Sequence, residues 1–406
     1  MWEQIRANRR NSIMLLVLMA ACLGSIGYAI GLAAGGPDGG WFGIMIATAV
    51  WLILTMISFS SGDQILLAAS KATKVTHDVH PVLFNVVEEM TIAANLPKMP
   101  DIYIINEQAP NAFATGRSPE KASVAVTAGL LAKLNRDELQ GVIGHEISHI
   151  VHRDILFVTL AGIMLGSIVL ISQIFLRGMF YSSMGSSRRY SSRRQGGGQE
   201  QIIFMVIAIV CAILAPIFAQ ILYFALSQRR EYMADAGAVR LTRYPSGLAD
   251  ALEKISNNHI EMKSANKVTA PMYISNPLNL NKQNVSSLFS THPPIEKRIK
   301  VLRNMARGAS FKDYSDSYSQ TVGGKSAIPK SAMADKEDIA IRQAESKSKS
   351  QSAKQQARQV GDIMRMVNGF AFLNCACGLK MKIPPNYKSK NVKCPRCGKV
   401  NQIDKS

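Results

Sequence analysis

Apolar residues gather in four long runs nearly free of charge: Ile13 to Ala34, Trp41 to Phe59, Ile155 to Leu176 and Ile202 to Leu226. At about 1.5 Å of rise per residue, each is long enough to cross a hydrocarbon core of roughly 30 Å. The pattern predicts an integral, multi-pass membrane protein. Between the first two runs lies GGPDGG, residues 35 to 40, whose glycines and proline favour a tight turn, so residues 1–60 read as a transmembrane hairpin. The first run follows Arg6, Arg9 and Arg10, as a signal peptide would. It is longer than a signal core and a second run follows at once, so it is expected to stay.

Between the runs the period changes. In residues 61–154, MPDIYIINE and KASVAVTAGLL are rich in alternating or β-branched apolar residues and predict strands, with QAPNAFATGRSPE separating them. A helix follows. Asn135 with Glu138 three residues on makes an N-cap and capping pair, and Leu139, Val142, Ile143, Ile147 and Ile150 recur at helical spacing. After the second apolar pair (155–226), SQRREYMADAGAVRLT is again helical in pattern and opens a segment over 227–308. From 309 to 370 the chain turns to Lys, Ser, Gln and Ala, a composition expected to form a basic, flexible linker.

Charge changes the picture in two places. The formal net charge of +19 raises nucleic acid as a partner, but much of the excess flanks the apolar runs and fills the tail. Basic residues beside spans mark the cytoplasmic side and meet anionic lipid. If the parts on either side of the second pair cooperate, two crossings separate them. The intervening loop then conflicts with its own charge, since it carries Arg177, Arg188, Arg189, Arg193 and Arg194. Either that pair traverses the bilayer only partly, or the first hairpin dictates orientation.

The predicted helix contains GHEISHIVHRD. His145 and His149 lie four apart, on one face, and can direct two imidazole nitrogens at one ion. Glu146 is about 100° away on the helical wheel, poorly placed as a ligand and well placed to hydrogen-bond a metal-held water. Two histidines and a carboxylate so spaced point to zinc-dependent peptide hydrolysis, with Glu146 as general base. A catalytic zinc needs a third protein ligand, and the candidates are Glu231, His152 and His292. Glu231 is favoured because a second helix would supply it, and Asp235, four residues later, can orient an imidazole. The fold class expected is an α+β integral membrane protein: a mainly helical zincin-type catalytic domain, a small sheet and four apolar spans.

In this order the chain also carries NAFATGR, HEISHIVHRD, REYMADAGA and STHPPIEKRI, interleaved with the apolar runs. Over roughly residues 1–308 it resembles the HtpX-type membrane metalloproteases, relatives of the prenyl-protein endopeptidases. The resemblance implies a catalytic zinc on His145, His149 and Glu231, with Glu146 as base and Asp235 in support. It implies a bacterial inner-membrane enzyme that cleaves misfolded or damaged membrane proteins, or unfolded polypeptides, at the cytoplasmic face. It also gives Asn111 a role in steadying substrate or the oxyanion, and His292 a role as oxyanion donor.

The tail departs from that family. Of the six cysteines, Cys22 and Cys211 sit inside apolar runs as small hydrophobes. The other four form CACG and CPRCG. Cys375, Cys377, Cys394 and Cys397 thus predict a zinc ribbon over 371–406, closed to water and therefore structural, in a reducing compartment. Its first knuckle is one residue short of C-x-x-C. A competing reading makes the protein a membrane adaptor that holds a partner with the ribbon and basic linker. The sequence identifies neither the ribbon's partner nor the oligomeric state.

Overall fold

The computed structural model describes residues 2–160, 228–258, 269–277, 293–305, 308–323, 339–345 and 352–403, with short stretches or single residues between them at 162–163, 168, 173, 177, 209, 260–265 and 328–333. Helix α1 (Trp2–Ala69) is a hairpin: its path leaves helical geometry at Gly35 and at Gly36, whose φ of 67° favours glycine. The two arms, Ile5–Leu32 and Asp38–Ala69, are each long and apolar enough to cross a membrane. They touch through backbone. A Cβ on Gly31 would lie 2.0 Å from the Gly39 carbonyl oxygen, and one on Gly43 would lie 2.0 Å from that of Gly27, the close approach that small residues permit between spans. Of the second apolar pair, residues 155–160 are helical. Most of that pair, and the arginine-rich loop over 178–200, lie outside the described residues.

A four-stranded sheet follows, in the order β1 (Ala72–Lys74), β2 (Asp101–Ile105), β4 (Lys121–Thr127), β3 (Ala112–Ser118). β2 and β4 are parallel and the other pairs antiparallel. The expected strands are β2 and β4. β3 lies in the stretch expected merely to separate them, because AFATGRS has neither alternation nor β-branched enrichment. Its pairing with β4, from Ala112 opposite Val126 to Gly116 opposite Ala122, fixes it instead.

Helix α2 (Pro81–Ala93) and short α3 (Ala128–Lys133) lead to α4 (Arg136–Val151). The capping box forms as the sequence predicts: Glu138 N–H donates to Asn135 Oδ1 at 2.9 Å and Asn135 N–H to Glu138 Oε2 at 2.9 Å. Leu139, Val142, Ile143, Ile147 and Ile150 are all buried. α4 runs through the core, against α2 and β3 and against α6 (Pro245–Ser256). α5 (228–242) and α7 (Ile295–Arg303) complete the surround.

The expectation of a flexible linker over 309–370 is corrected where the segment is described. α8 (Phe311–Thr321) has its own capping box and buries Phe311 and Tyr314 in the main core. Residues 339–345 form a strap: Arg342 donates to Asp137 Oδ1 (2.8 Å), Gln140 Oε1 (2.6 Å) and the Thr242 carbonyl (2.9 Å). It thereby ties the start of α4 to the end of α5. α9 (Ala353–Val367) is amphipathic and sets Val360, Ile363 and Met364 into the core beside α3. Low average hydrophobicity hid these few apolar positions, which are enough to seat each element. Two hairpins follow, β5 (Ala371–Asn374) with β6 (Lys380–Ile383) and β7 (Asn391–Lys393) with β8 (Val400–Gln402).

Candidate metal centre and active site

Helical spacing in α4 brings His145 Nε2 and His149 Nε2 to 3.2 Å of each other. α5, crossing alongside, presents the Glu231 carboxylate 3.6 Å from the first and 3.7 Å from the second. A tetrahedral zinc with bonds of about 2.0–2.1 Å needs donors about 3.3 Å apart, so the three groups fit one ion with little movement. The tautomers fit too. His145 Nδ1 lies 2.9 Å from Asp235 Oδ1, and His149 Nδ1 lies 3.0 Å from Asp154 Oδ2, so each ring can spend its N–H on a carboxylate and turn its Nε2 lone pair inward. The Asp235 contact is the one the sequence predicts. His152, a rival third ligand, is instead the C-cap of α4 and stands outside this cluster.

Two further residues complete the centre. Asp154, in the HRD that closes the motif, anchors His149. Arg298 is wholly buried; it donates through Nε and Nη2 to both oxygens of Asp235 (2.8 and 2.7 Å) and through Nη1 to Glu231 Oε2 (3.4 Å) and the Ile274 carbonyl (3.2 Å). Burial would raise the Asp235 carboxyl, but Arg298 and His145 outweigh it and hold the group below its ordinary value. Sequence reading missed Arg298 because EKRIKVLR looks like the exposed basic face of an amphipathic helix.

Glu146 is 2 % exposed and lines a cavity of about 20 Å³, room for about one water, with Ala114, His149, Asp154 and Glu231. Burial pushes its carboxyl up, against the pull of the two histidines. Burial likewise opposes charge on His149, but Asp154, Glu231 and Glu146 prevail and push its pKa up to about 9.

The remaining expectations divide. The Asn111 amide is engaged by backbone, Nδ2 donating to the Ser275 carbonyl (2.8 Å) and Oδ1 accepting from Ala112 and Ser275 N–H. It braces the chain beside β3. His292 lies outside the described residues. In the tail, Cys375 and Cys397 sulfurs are 3.5 Å apart and those of Cys377 and Cys394 3.6 Å, with all four within 4.8 Å of one another. A tetrahedral zinc thiolate site needs about 3.8 Å. Gly378 and Gly398, at φ 82° and 74°, turn the two knuckles.

The model for peptidase family M48 matches residues 79–306. A protease HtpX homolog of Dictyoglomus thermophilum is 44 % identical over 304 residues, covering 75 % of this chain and 94 % of its own. Homologs from Listeria monocytogenes serotype 4a and Lactobacillus helveticus are 42 % and 41 % identical over 75 % of this chain and 100 % of theirs. Among solved structures, S. mikatae Ste24p aligns at 19 % identity and a TM-score of 0.39, over 74 % of this chain and 67 % of that one. The chain therefore belongs to peptidase family M48, among the HtpX-type membrane metalloproteases.

Proposed function

We propose that the protein is a zinc endopeptidase of the bacterial inner membrane, hydrolysing peptide bonds of misfolded or damaged membrane proteins at the cytoplasmic face. What carries the reading is a single constellation: two imidazoles and a carboxylate at zinc spacing, with a buried glutamate beside them. His145, His149 and Glu231 hold the ion, and Asp235 and Asp154 fix the imidazoles. Zinc, when bound there, polarises the scissile carbonyl and acidifies water. Glu146, its proton affinity raised by burial, takes a proton from that water and delivers it to the leaving amine. The exposed Arg6, Arg9 and Arg10 at the start of α1 support a cytoplasmic N-terminus and hence a cytoplasmic site. The four cysteines hold a second, structural zinc, and the ribbon presents Lys388, Lys390, Lys393, Arg396 and Lys399 to a partner.

Glu146→Gln is the decisive variant. It should keep its zinc and lose about 10²–10⁴-fold in turnover of an unfolded membrane-protein substrate. Unchanged turnover would remove Glu146 from the reaction.

A further inference from the structure

On the side of α4 and α5 away from the metal ligands lies a cleft of about 820 Å³, within the size range of small-molecule sites. Its walls include Asn95, His152, Arg240, Arg243, Phe311 and Ile339. We propose that this cleft binds the phosphate headgroup of an acidic phospholipid from the inner leaflet.

The described part of the wall is basic. Among the described lining residues two are arginines and none is acidic, so the cleft favours an anion. Segments beyond the family domain, which ends at residue 306, pack against both arginines, on the side chain of Arg240 and on the backbone of Arg243. Arg240 stacks 5.1 Å over the Phe311 ring of α8. Arg243 sits at φ 53°, unusual for a side chain of its size, and its carbonyl accepts the Arg342 N–H of the strap at 2.9 Å. Planar guanidinium forks match phosphate oxygens in pairs.

The wall also carries an uncommitted polar atom. His152 is 2 % exposed, and its buried Nδ1 has no hydrogen-bond partner, although a buried nitrogen normally finds one. Beside these groups Val151, Leu241 and Ile339 offer apolar contact, so the cleft suits an amphiphile better than a bare ion.

Its height points to lipid. The His152 carbonyl accepts from Asn8 Nδ2 at 2.9 Å, which places the cleft wall against α1 five residues before the apolar run begins at Ile13. That is about 7.5 Å along the helix, comparable to the roughly 5–7 Å depth of one headgroup layer.

Native mass spectrometry of the full-length, detergent-solubilised protein tests the site, with dioleoyl phosphatidylglycerol and dioleoyl phosphatidylcholine as probes. The wild type should retain phosphatidylglycerol over phosphatidylcholine, and Arg240→Gln with Arg243→Gln should lower that retention about tenfold or more, with zinc content unchanged. Arg243→Gln alone, at an exposed position, should lower it in part and guards against misfolding of the pair. Equal retention of the two lipids, or no loss in either variant, overturns the proposal. Displacement by millimolar inorganic phosphate would assign the anion to a soluble source and overturn the lipid.

Discussion

At His149 a proton and a metal ion compete for one nitrogen. Its pKa of about 9 means that, without metal, the ring is charged at neutral pH and must lose a proton to bind zinc. Zinc affinity should accordingly rise at least about tenfold per pH unit between 7 and 9, read by chelator competition, since the His145 imidazole beside it is also held above its ordinary value. Asp154→Asn removes the largest upward influence. It should weaken zinc about 10–100-fold and flatten that pH dependence; an unchanged slope would assign the proton elsewhere. Arg298 is the other residue of consequence. Arg298→Leu removes the buried guanidinium that donates to both Asp235 and Glu231, and loss of one partner of a buried pair costs about 3–5 kcal/mol. A denaturation midpoint within experimental error of wild type would show that these carboxylates are stabilised by something else. The His145, His149 and Glu231 cluster was legible because two of its members share a helical face and the third sits in a recognisable run. Arg298 was not, since only the approach of α7 to α5 turns an ordinary basic residue into a buried one.

Among the elements, those specified locally were readable. The α4 capping box and apolar stripe are written within sixteen residues, whereas β3 exists through its register with β4, which its own composition does not announce. The strap is the clearest case of a tertiary decision. Arg342 lies in a polar stretch, yet it satisfies Asp137 and Gln140, both nearly fully buried. Arg342→Ala should lower stability by about 1.5–3 kcal/mol, the worth of a charged hydrogen bond, in a chemical denaturation series. Truncation after residue 345 removes α9 with its three core side chains and should lower the midpoint modestly. Truncation after residue 308 also removes Phe311, Tyr314 and the strap, and should lower the midpoint much further. Equal midpoints for the two truncations would show that the strap and α8 contribute nothing.

For the molecule as a whole, acid should be felt through His152. Burial drives its pKa down to about 4 from an ordinary 6.5. Between those values the unfolded chain takes up a proton that the folded chain refuses, so stability falls as pH drops from 6.5 toward 4. The loss amounts to roughly 3 kcal/mol at the acid end. His152→Gln should lose about 2.5 kcal/mol less between pH 7 and 4.5 in thermal melts; parallel curves would exclude this residue as the source. The architecture extends the same histidine's reach, since its carbonyl joins the catalytic helix to the first span through Asn8.

The glycine contacts of α1 bear on where such an enzyme cuts. With Gly27 set against Gly43 and Gly31 against Gly39, the two arms have no room to slide, and the second arm leads through Gly62, beside Thr159 and Ile163, to the sheet. On the proposed topology, the His145, His149 and Glu231 cluster would then ride at a set altitude over the lipid, like a blade fixed to a ruler. Scission points in different substrates should cluster at one distance from the bilayer, whatever the local sequence.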